Sequence, residues 1–474
     1  MEEPGKRVSR AFLFNLLGLI ANKGLVFIAL LLVSRILGPE DYGKASIIVN
    51  TTSLFASLAA LNLGLIATKY IAQYRMKDCA RLSRILALTS LIGLISGLAF
   101  ALILFIFSQP IAAHQLGSAD MATYLQIGSV TVAFTTYNGI QRGVVTGLEK
   151  FKLLMTIDAF TGIITFLLGV IGTYLYGVLG YITTLMIAAI STNLVYFIAV
   201  QKALRKEGVR YDFRGCHKEK GIFSGFALPM SLATIIAAPA NWICGIIIIN
   251  TFDGYTSYGI YSAAFQWRSI ITLAMSTFGN AMLPILVSSN ESDERIEKLN
   301  LLTEWLASIV IACFLVPISG YLFILYGAKY DQGIFAGCFI AIVFSCIVAG
   351  YMDGINRKMV QHEKMWYSFA ANAIWALAFI ALTYFLRQMG AIGIAYAMVC
   401  AYGIMLIVVI AMSIRLKVID ITLIINFKTT VLWLLIGLWC VLVSFCSLFA
   451  VQIIASIVVL ITVVVVFGAI RQKN

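Results

Sequence analysis

The sequence predicts an all-α polytopic membrane protein of about fourteen transmembrane helices, built as two six-helix bundles related by a parallel internal repeat plus two C-terminal helices. Three observations carry that expectation. Apolar residues make up 61% of the 474 and charged residues 12%, about half the charge of an average soluble domain, and no soluble fold of this size hides so much apolar surface. The apolar residues come in runs of about 20 or more, the length that crosses a hydrocarbon core. Lysine and arginine cluster between alternate runs, which is the pattern of topogenic charge.

The first run, 11–33, follows Lys6, Arg7 and Arg10 and has no small-residue cleavage site after it, so it reads as an uncleaved span. A turn at Arg35–Gly43 separates it from 44–68. Lys69, Arg75, Lys77, Arg81 and Arg84 then lead into 84–107. Runs 121–147 and 152–174 are joined by a short basic link, and 178–200 follows across a single short turn, so these neighbours must be antiparallel hairpins. The next three, 222–250, 256–288 and 299–326, hold Pro229, Pro239, Pro284 and Pro317. Each proline removes an intrahelical bond and kinks its helix, as a gating hinge or as static shape. Runs 333–357, 366–386 and 392–413 complete the second bundle, and 428–449 and 451–470 trail it.

The basic linker carries Lys202, Arg205, Lys206, Arg210, Arg214, Lys218 and Lys220, whereas the opposite set of loops holds only Arg35, Lys44, Lys329 and Arg387. The asymmetry places both termini in the cytoplasm of a multi-pass protein of the cell membrane. The two halves match at an offset of about 215 residues: Asn138-Gly139-Ile140-Gln141-Arg142 recurs as Asp353-Gly354-Ile355-Asn356-Arg357, and Gly177-Val178-Leu179-Gly180 as Gly390-Ala391-Ile392-Gly393. Tyr42-Gly43 recurs as Tyr258-Gly259 and Glu149-Lys150 as Glu363-Lys364. The expected organisation is therefore an N-terminal bundle (1–200), a basic cytoplasmic linker (201–221), a C-terminal bundle (222–413) and two extra helices with a tail (414–474). Parallel repeats of this kind are a common transporter architecture, with the substrate path between the halves.

Two cations stand apart from the loops. Lys23 and Arg268 each lie about twelve residues into a span, near the bilayer midplane, where a charge is costly unless it faces a wet cavity. They are the candidate substrate-binding residues, suited to an anionic group, the alternative being a structural helix–helix contact. Arginine matches phosphate through its fork of donors and lysine acts as a point charge. Asn22, Gln266 and Asn241 join them, with Asn15, Asn62, Trp267 and Asn280 nearby; amides beside an aromatic ring suit sugar hydroxyls and suit interhelical hydrogen bonds equally well. Asp158 has two readings, a coupling-ion site or the inner-face partner of Arg142. The nine cysteines lack metal-ligand spacing and read as small apolar residues in helices. No phosphate loop, paired carboxylates, zinc motif or nucleophile elbow occurs, and His114, His217 and His362 are scattered. The expectation is a transporter rather than an enzyme, with no cofactor, no metal and no nucleic-acid partner.

Four stretches resemble one family closely: Arg35-Ile36-Leu37-Gly38-Pro39-Glu40-Asp41-Tyr42-Gly43, Phe226-Ala227-Leu228-Pro229, Gly259-Ile260-Tyr261-Ser262-Ala263-Ala264-Phe265 and Gly147-Leu148-Glu149-Lys150-Phe151. The chain resembles, over essentially its whole length, the polysaccharide-exporter branch of the multidrug/oligosaccharidyl-lipid/polysaccharide exporter superfamily. The resemblance implies a flippase for an undecaprenyl-pyrophosphate-linked oligosaccharide, such as an O-antigen or capsule repeat unit. It implies two bundles alternating access around a cationic cavity, membrane lipids as neighbours, glycan polymerase machinery as a partner and a proton or sodium ion for coupling. Lys23 and Arg268 occupy the helices where the related lipid II flippases place cavity cations, but the second helix here has no basic residue beyond Lys44. Lipid II transport, drug/cation antiport and a membrane polymerase or ligase of lipid-linked glycans are the competing functions. Acidic midplane residues would mark an antiporter and a large outer loop a polymerase, and the sequence has neither.

Overall fold

Residues 4–75, 77–219, 235–288, 294–361, 365–416, 427–445 and 449–471 are described by a computed structural model. Among them there is no strand. Six helical stretches are long and apolar enough to cross a membrane: Leu17–Tyr74, Cys79–Ile106, Phe151–Lys206, Ile296–Leu315, Gln332–Met359 and Trp366–Arg415. The chain divides into two units, Met1–Asn250 and Thr251–Asn474.

The first unit begins with α1 (Pro4–Ala60), 57 residues long and interrupted at Gly38, where φ is 76° and ψ 174°. A straight helix of that length would run about 85 Å, far more than a bilayer, and the sequence Leu37-Gly38-Pro39 supplies the break. The residue before a proline avoids the helical region, glycine accepts the positive φ, and Pro39 suits the first position of a new helix. Glu40 and Asp41 then sit in the first turn of the second arm, and Lys44 pairs with both at 2.8 and 2.9 Å, as (i, i+4) and (i, i+3) neighbours do. The second expected span, 44–68, is itself broken: Leu61 and Asn62 are left-handed (φ 43° and 52°), and α2 (Leu63–Tyr74) restarts beyond them. α3 (Cys79–Ile106) is capped by Asp78, whose carboxylate accepts from the Arg81 N–H. α4 (Met121–Gly147) and α5 (Phe151–Lys206) follow.

α5 is a hairpin. It departs from helical geometry at Tyr176 and Gly177, and its contacts pair residues symmetrically about that point. The Thr161 and Thr192 hydroxyls are 3.3 Å apart, and a Cβ on Gly172 would lie 3.0 Å from the Gly180 carbonyl oxygen. Beyond Lys206 the linker folds back on α3: the Asp212 N–H donates to the Ser83 carbonyl at 3.2 Å, and Glu219 is buried against Arg81 and Arg84, both at 3.1 Å. Cys216 lies in this linker, on a 3-10 turn rather than in a long helix, because the segment needs a small apolar residue against Ala87 and Leu88. α6 (Ala237–Ile249) is tied to the second arm of α1, with Trp242 Nε1 donating to Thr51 Oγ1 at 2.9 Å. Pro239 falls in the first turn of that described helix.

The second unit comprises α7 (Gly254–Ser288), α8 (Glu294–Leu315), α9 (Ser319–Tyr326), α10 (Gln332–Gln361), α11 (Met365–Leu386), α12 (Gly390–Arg415), α13 (Phe427–Phe445) and α14 (Phe449–Arg471). Pro317 stands in the turn that ends α8, so the expected span 299–326 is two helices. α11 and α12 fold back on one another about Gly390, bringing the Trp375 and Tyr402 rings to 5.5 Å. The trailing helices are part of this unit: Trp433 of α13 stacks on Trp305 of α8 at 4.9 Å and meets Tyr351 of α10 edge-on at 5.5 Å. Pro229, the side chain of Pro284, Glu363-Lys364 and Cys446 lie outside the described residues.

Candidate functional site

In the first unit, α1 and α5 run parallel in close contact. A Cβ on Gly18 would lie 2.9 Å from the Met155 Cα, and one on Gly162 3.0 Å from the Asn22 Cα. Asn22 Nδ2 donates to the Asp158 carbonyl oxygen at 2.8 Å. This register sets Lys23 opposite residues 160–161, about ten residues or 15 Å into α5, which is half of a hydrocarbon core about 30 Å thick. Lys23 is exposed and makes no hydrogen bond or ion pair with any described residue.

Beside it, Asp158 is buried and paired with Arg142 of α4. Both carboxylate oxygens are engaged, Oδ1 by one guanidinium nitrogen and Oδ2 by the other at 3.0 Å. Of the two readings open for Asp158, the structure forms the ion pair. Asn241 lies elsewhere in the unit: its Nδ2 donates to Ala237 of its own helix at 2.7 Å, and its carbonyl accepts from Asn50 at 3.3 Å. The contacts therefore join Asn22 to the Lys23 wall and give Asn241 a separate one. The side chains of Asn15 and Asn280 lie outside the described residues, and Asn62 forms the left-handed turn before α2.

In the second unit, Arg268 of α7 is held by neutral groups. It donates to Ser345 Oγ of α10 at 2.6 Å, to Cys346 Sγ at 3.8 Å and to the Tyr402 hydroxyl of α12 at 2.6 Å. Its guanidinium carbon stands 4.7 Å from the centre of the Tyr402 ring, a cation–π contact. Among the described residues no carboxylate lies within ion-pair distance of it; Asp353 of α10 acts on it only through space, so it is oriented by neutral groups in contact. Trp267, next in the chain, faces away, donating from Nε1 to the Tyr326 hydroxyl at 3.0 Å, and Gln266 is buried.

A further ionic cluster escaped the sequence reading. Arg357 pairs with Glu304 of α8 at 2.9 Å, and donates to Asn300 Oδ1 at 2.7 Å and to the Asn300 carbonyl at 3.0 Å; Lys358 pairs with Glu297. The one available signal was the repeat, which aligns Arg357 with Arg142. Both arginines hold a buried carboxylate, but the acids come from non-equivalent helices. Among the described residues no group of three or more metal-ligating side chains occurs.

The sequence matches the polysaccharide biosynthesis protein family over residues 8–290, more than half the chain. The chain belongs to that family. Within the polysaccharide biosynthesis family it is 24% identical over 417 residues to the EPS I polysaccharide export inner membrane protein EpsE of Ralstonia nicotianae, covering 84% of this chain and 92% of the relative. It is 22% identical to the succinoglycan biosynthesis transport protein ExoT of Rhizobium meliloti, over 65% of this chain and 59% of that protein. Its fold is shared with the lipid II flippase MurJ in an inward closed conformation, at a TM-score of 0.74 and 17% identity, over 96% of this chain and 98% of that one. An inward-facing MATE family transporter of the MOP superfamily also matches, at a TM-score of 0.69 and 15% identity, over 84% and 94%. This family member is thus a helical membrane protein that shares its fold with these two structures.

Proposed function

We propose that the chain is a flippase that moves an undecaprenyl-pyrophosphate-linked oligosaccharide across the cytoplasmic membrane by alternating access. The observation that carries the reading is Arg268, an intramembrane guanidinium held by Ser345 and Tyr402 with no carboxylate within ion-pair distance among the described residues. A charge kept in such a place is functional by default, and an oriented guanidinium suits a phosphate oxygen. Lys23 is the corresponding intramembrane cation of the first unit. Each cation is read as attracting pyrophosphate, Asn22, Gln266 and Asn241 as serving glycan hydroxyls, and the polyprenyl tail as staying in lipid. No bond is made or broken, so the activity is transport between two conformational states. Export by the relatives named above supports this substrate class.

The finer architecture belongs to the same proposal: about fourteen spans, both termini cytoplasmic, repeats at 11–200 and 222–413, a proton or sodium gradient for coupling and delivery to glycan polymerase machinery. The matching turns at Gly177 and Gly390 support the repeat. The test is movement of a fluorescent undecaprenyl-pyrophosphate oligosaccharide between leaflets of vesicles holding the purified protein and no ATP. Wild-type protein is expected to move it and Arg268→Ala to abolish the movement. No movement under either proton or sodium gradients would overturn the reading.

A further inference from the structure

Arg142 and Arg357 are aligned by the repeat and are both paired with a buried acid, yet they are not equally committed. Arg357 is 13% exposed and engages Glu304 and Asn300 through all three of its nitrogens. Arg142 is 37% exposed against 5% for Asp158, and gives one bond to each oxygen of that carboxylate. Its other partner among the described residues is the neutral Tyr196 hydroxyl, and it remains the more exposed of the two arginines. The exposed edge of a guanidinium inside a helical span has to face water. Lys23 lies on the same wall, because its neighbour Asn22 is bonded to the Asp158 backbone.

We propose that Arg142 is a second phosphate-binding cation of this unit, and that it exchanges its bond to Asp158 for a substrate phosphate while Asp158 takes up a proton from solvent. The inference rests on the pyrophosphate reading above. Its logic is electrostatic. Asp158 is buried and both its oxygens bond only Arg142 among the described residues, so departure of the arginine leaves an unpaired buried carboxylate, a state too costly to populate. Protonation removes that cost: the carboxylate becomes a neutral acid as the guanidinium pairs with a phosphate oxygen. The ionisable groups facing Asp158 are Arg142 from α4 and Tyr196 from the second arm of α5. From α1 come Gly18, where a Cβ would lie 3.4 Å from Asp158 Oδ2, and Lys23 a turn further on. None of these can replace Arg142 as a counter-ion in contact, so a proton is the available substitute. Substrate binding and proton binding are then linked.

The experiment uses purified full-length protein and farnesyl pyrophosphate, a polyprenyl pyrophosphate without sugar. Binding heats are measured by calorimetry in two buffers of unlike ionisation enthalpy, at a pH where the probe is fully ionised. Wild-type protein is expected to take up about one proton per probe bound. Asp158→Asn is expected to bind the probe with no uptake, and Arg142→Gln to bind it roughly tenfold more weakly. Binding by wild-type protein with no proton uptake overturns the exchange alone, and this measurement needs no variant to fold. Equal uptake by wild type and Asp158→Asn, or unchanged affinity in Arg142→Gln, overturns it as well. Failure of wild-type protein to bind the probe overturns the pyrophosphate reading and this proposal with it.

Discussion

Gly177 and Gly390 adopt the same backbone conformation, at φ 58°, ψ −135° and φ 58°, ψ −128°. Each is the apex of an antiparallel pair of long helices, one in either unit, and the two open the recurring motif that reads Gly-Val-Leu-Gly and Gly-Ala-Ile-Gly. A side chain is poorly accommodated there because a Cβ crowds the backbone at positive φ.

Replacing either glycine by alanine is therefore expected to lower stability by about 1–3 kcal/mol. The two sites differ in surroundings. Nothing lies within 4 Å of a Cβ on Gly177, whereas one on Gly390 would meet Ser257 Oγ at 2.6 Å. Gly390→Ala should consequently unfold at lower temperature than Gly177→Ala in detergent, and Ser257→Ala should recover part of the difference. Equal melting of the two variants would refute the steric part of this account.

The Arg357–Glu304 pair is the best candidate for a structural ion pair. Glu304 is 3% exposed, and its carboxylate lies so near α7 that a Cβ on Gly279 would meet it at 1.5 Å. Arg357→Ala alone strands a buried negative charge and is expected to cost about 3–5 kcal/mol. Arg357→Met with Glu304→Gln removes both charges and should cost distinctly less than the two single changes summed. Additive losses in denaturation of the four proteins would show that the two groups are independent.

How much of this was legible in the chain depends on how local the cause is. The break at Gly38 could be read from Leu37-Gly38-Pro39 because proline and glycine act on their immediate neighbours. The alternation of Lys23 and Arg268 with long apolar runs was visible because a charge in such a run has few bland explanations. Asp158 yielded two readings, since its pairing with Arg142 depends on the turn between α4 and α5. Tyr402 and Ser345 gave no signal at all. They are ordinary span residues, 134 and 77 positions from Arg268, and only the packing of α7, α10 and α12 makes them its cage. The buried Glu304 was invisible for the same reason.

That cage makes a specific claim about Tyr402. Its hydroxyl accepts from Arg268, and its ring lies under the guanidinium. Tyr402→Phe keeps the ring and the volume but deletes the acceptor, a bond to a charged group worth about 1.5–3 kcal/mol. If orientation of Arg268 matters to transport, the variant should export at least roughly tenfold more slowly at unchanged expression. Arg268→Lys, which keeps the charge but not the planar fork, should resemble it. Full activity in both would mean that charge alone suffices.

Glu219 offers a prediction about the linker. It is 7% exposed and bonds Arg81 and Arg84 of α3, pinning a segment whose Arg210, Phe213 and Arg214 point outward. The pairing is two cations on one buried carboxylate, so a glutamine there, with one acceptor oxygen and no charge, loses at least one of the bonds and leaves two guanidinium groups facing each other. Glu219→Gln is expected to loosen residues 207–219 by about 1–2 kcal/mol. Trypsin cuts a transiently opened segment in proportion to its open population, so cleavage at Arg210 and Arg214 should quicken by roughly tenfold while the helical body stays intact. Arg81→Gln alone leaves the bond to Arg84 in place and should give a smaller rise, because Arg81 is the more exposed of the two, at 39% against 23%. Identical cleavage rates for wild type and Glu219→Gln would mean that the segment is held by Val209 and Cys216, buried at 4% and 7% exposure, and not by its ionic clamp.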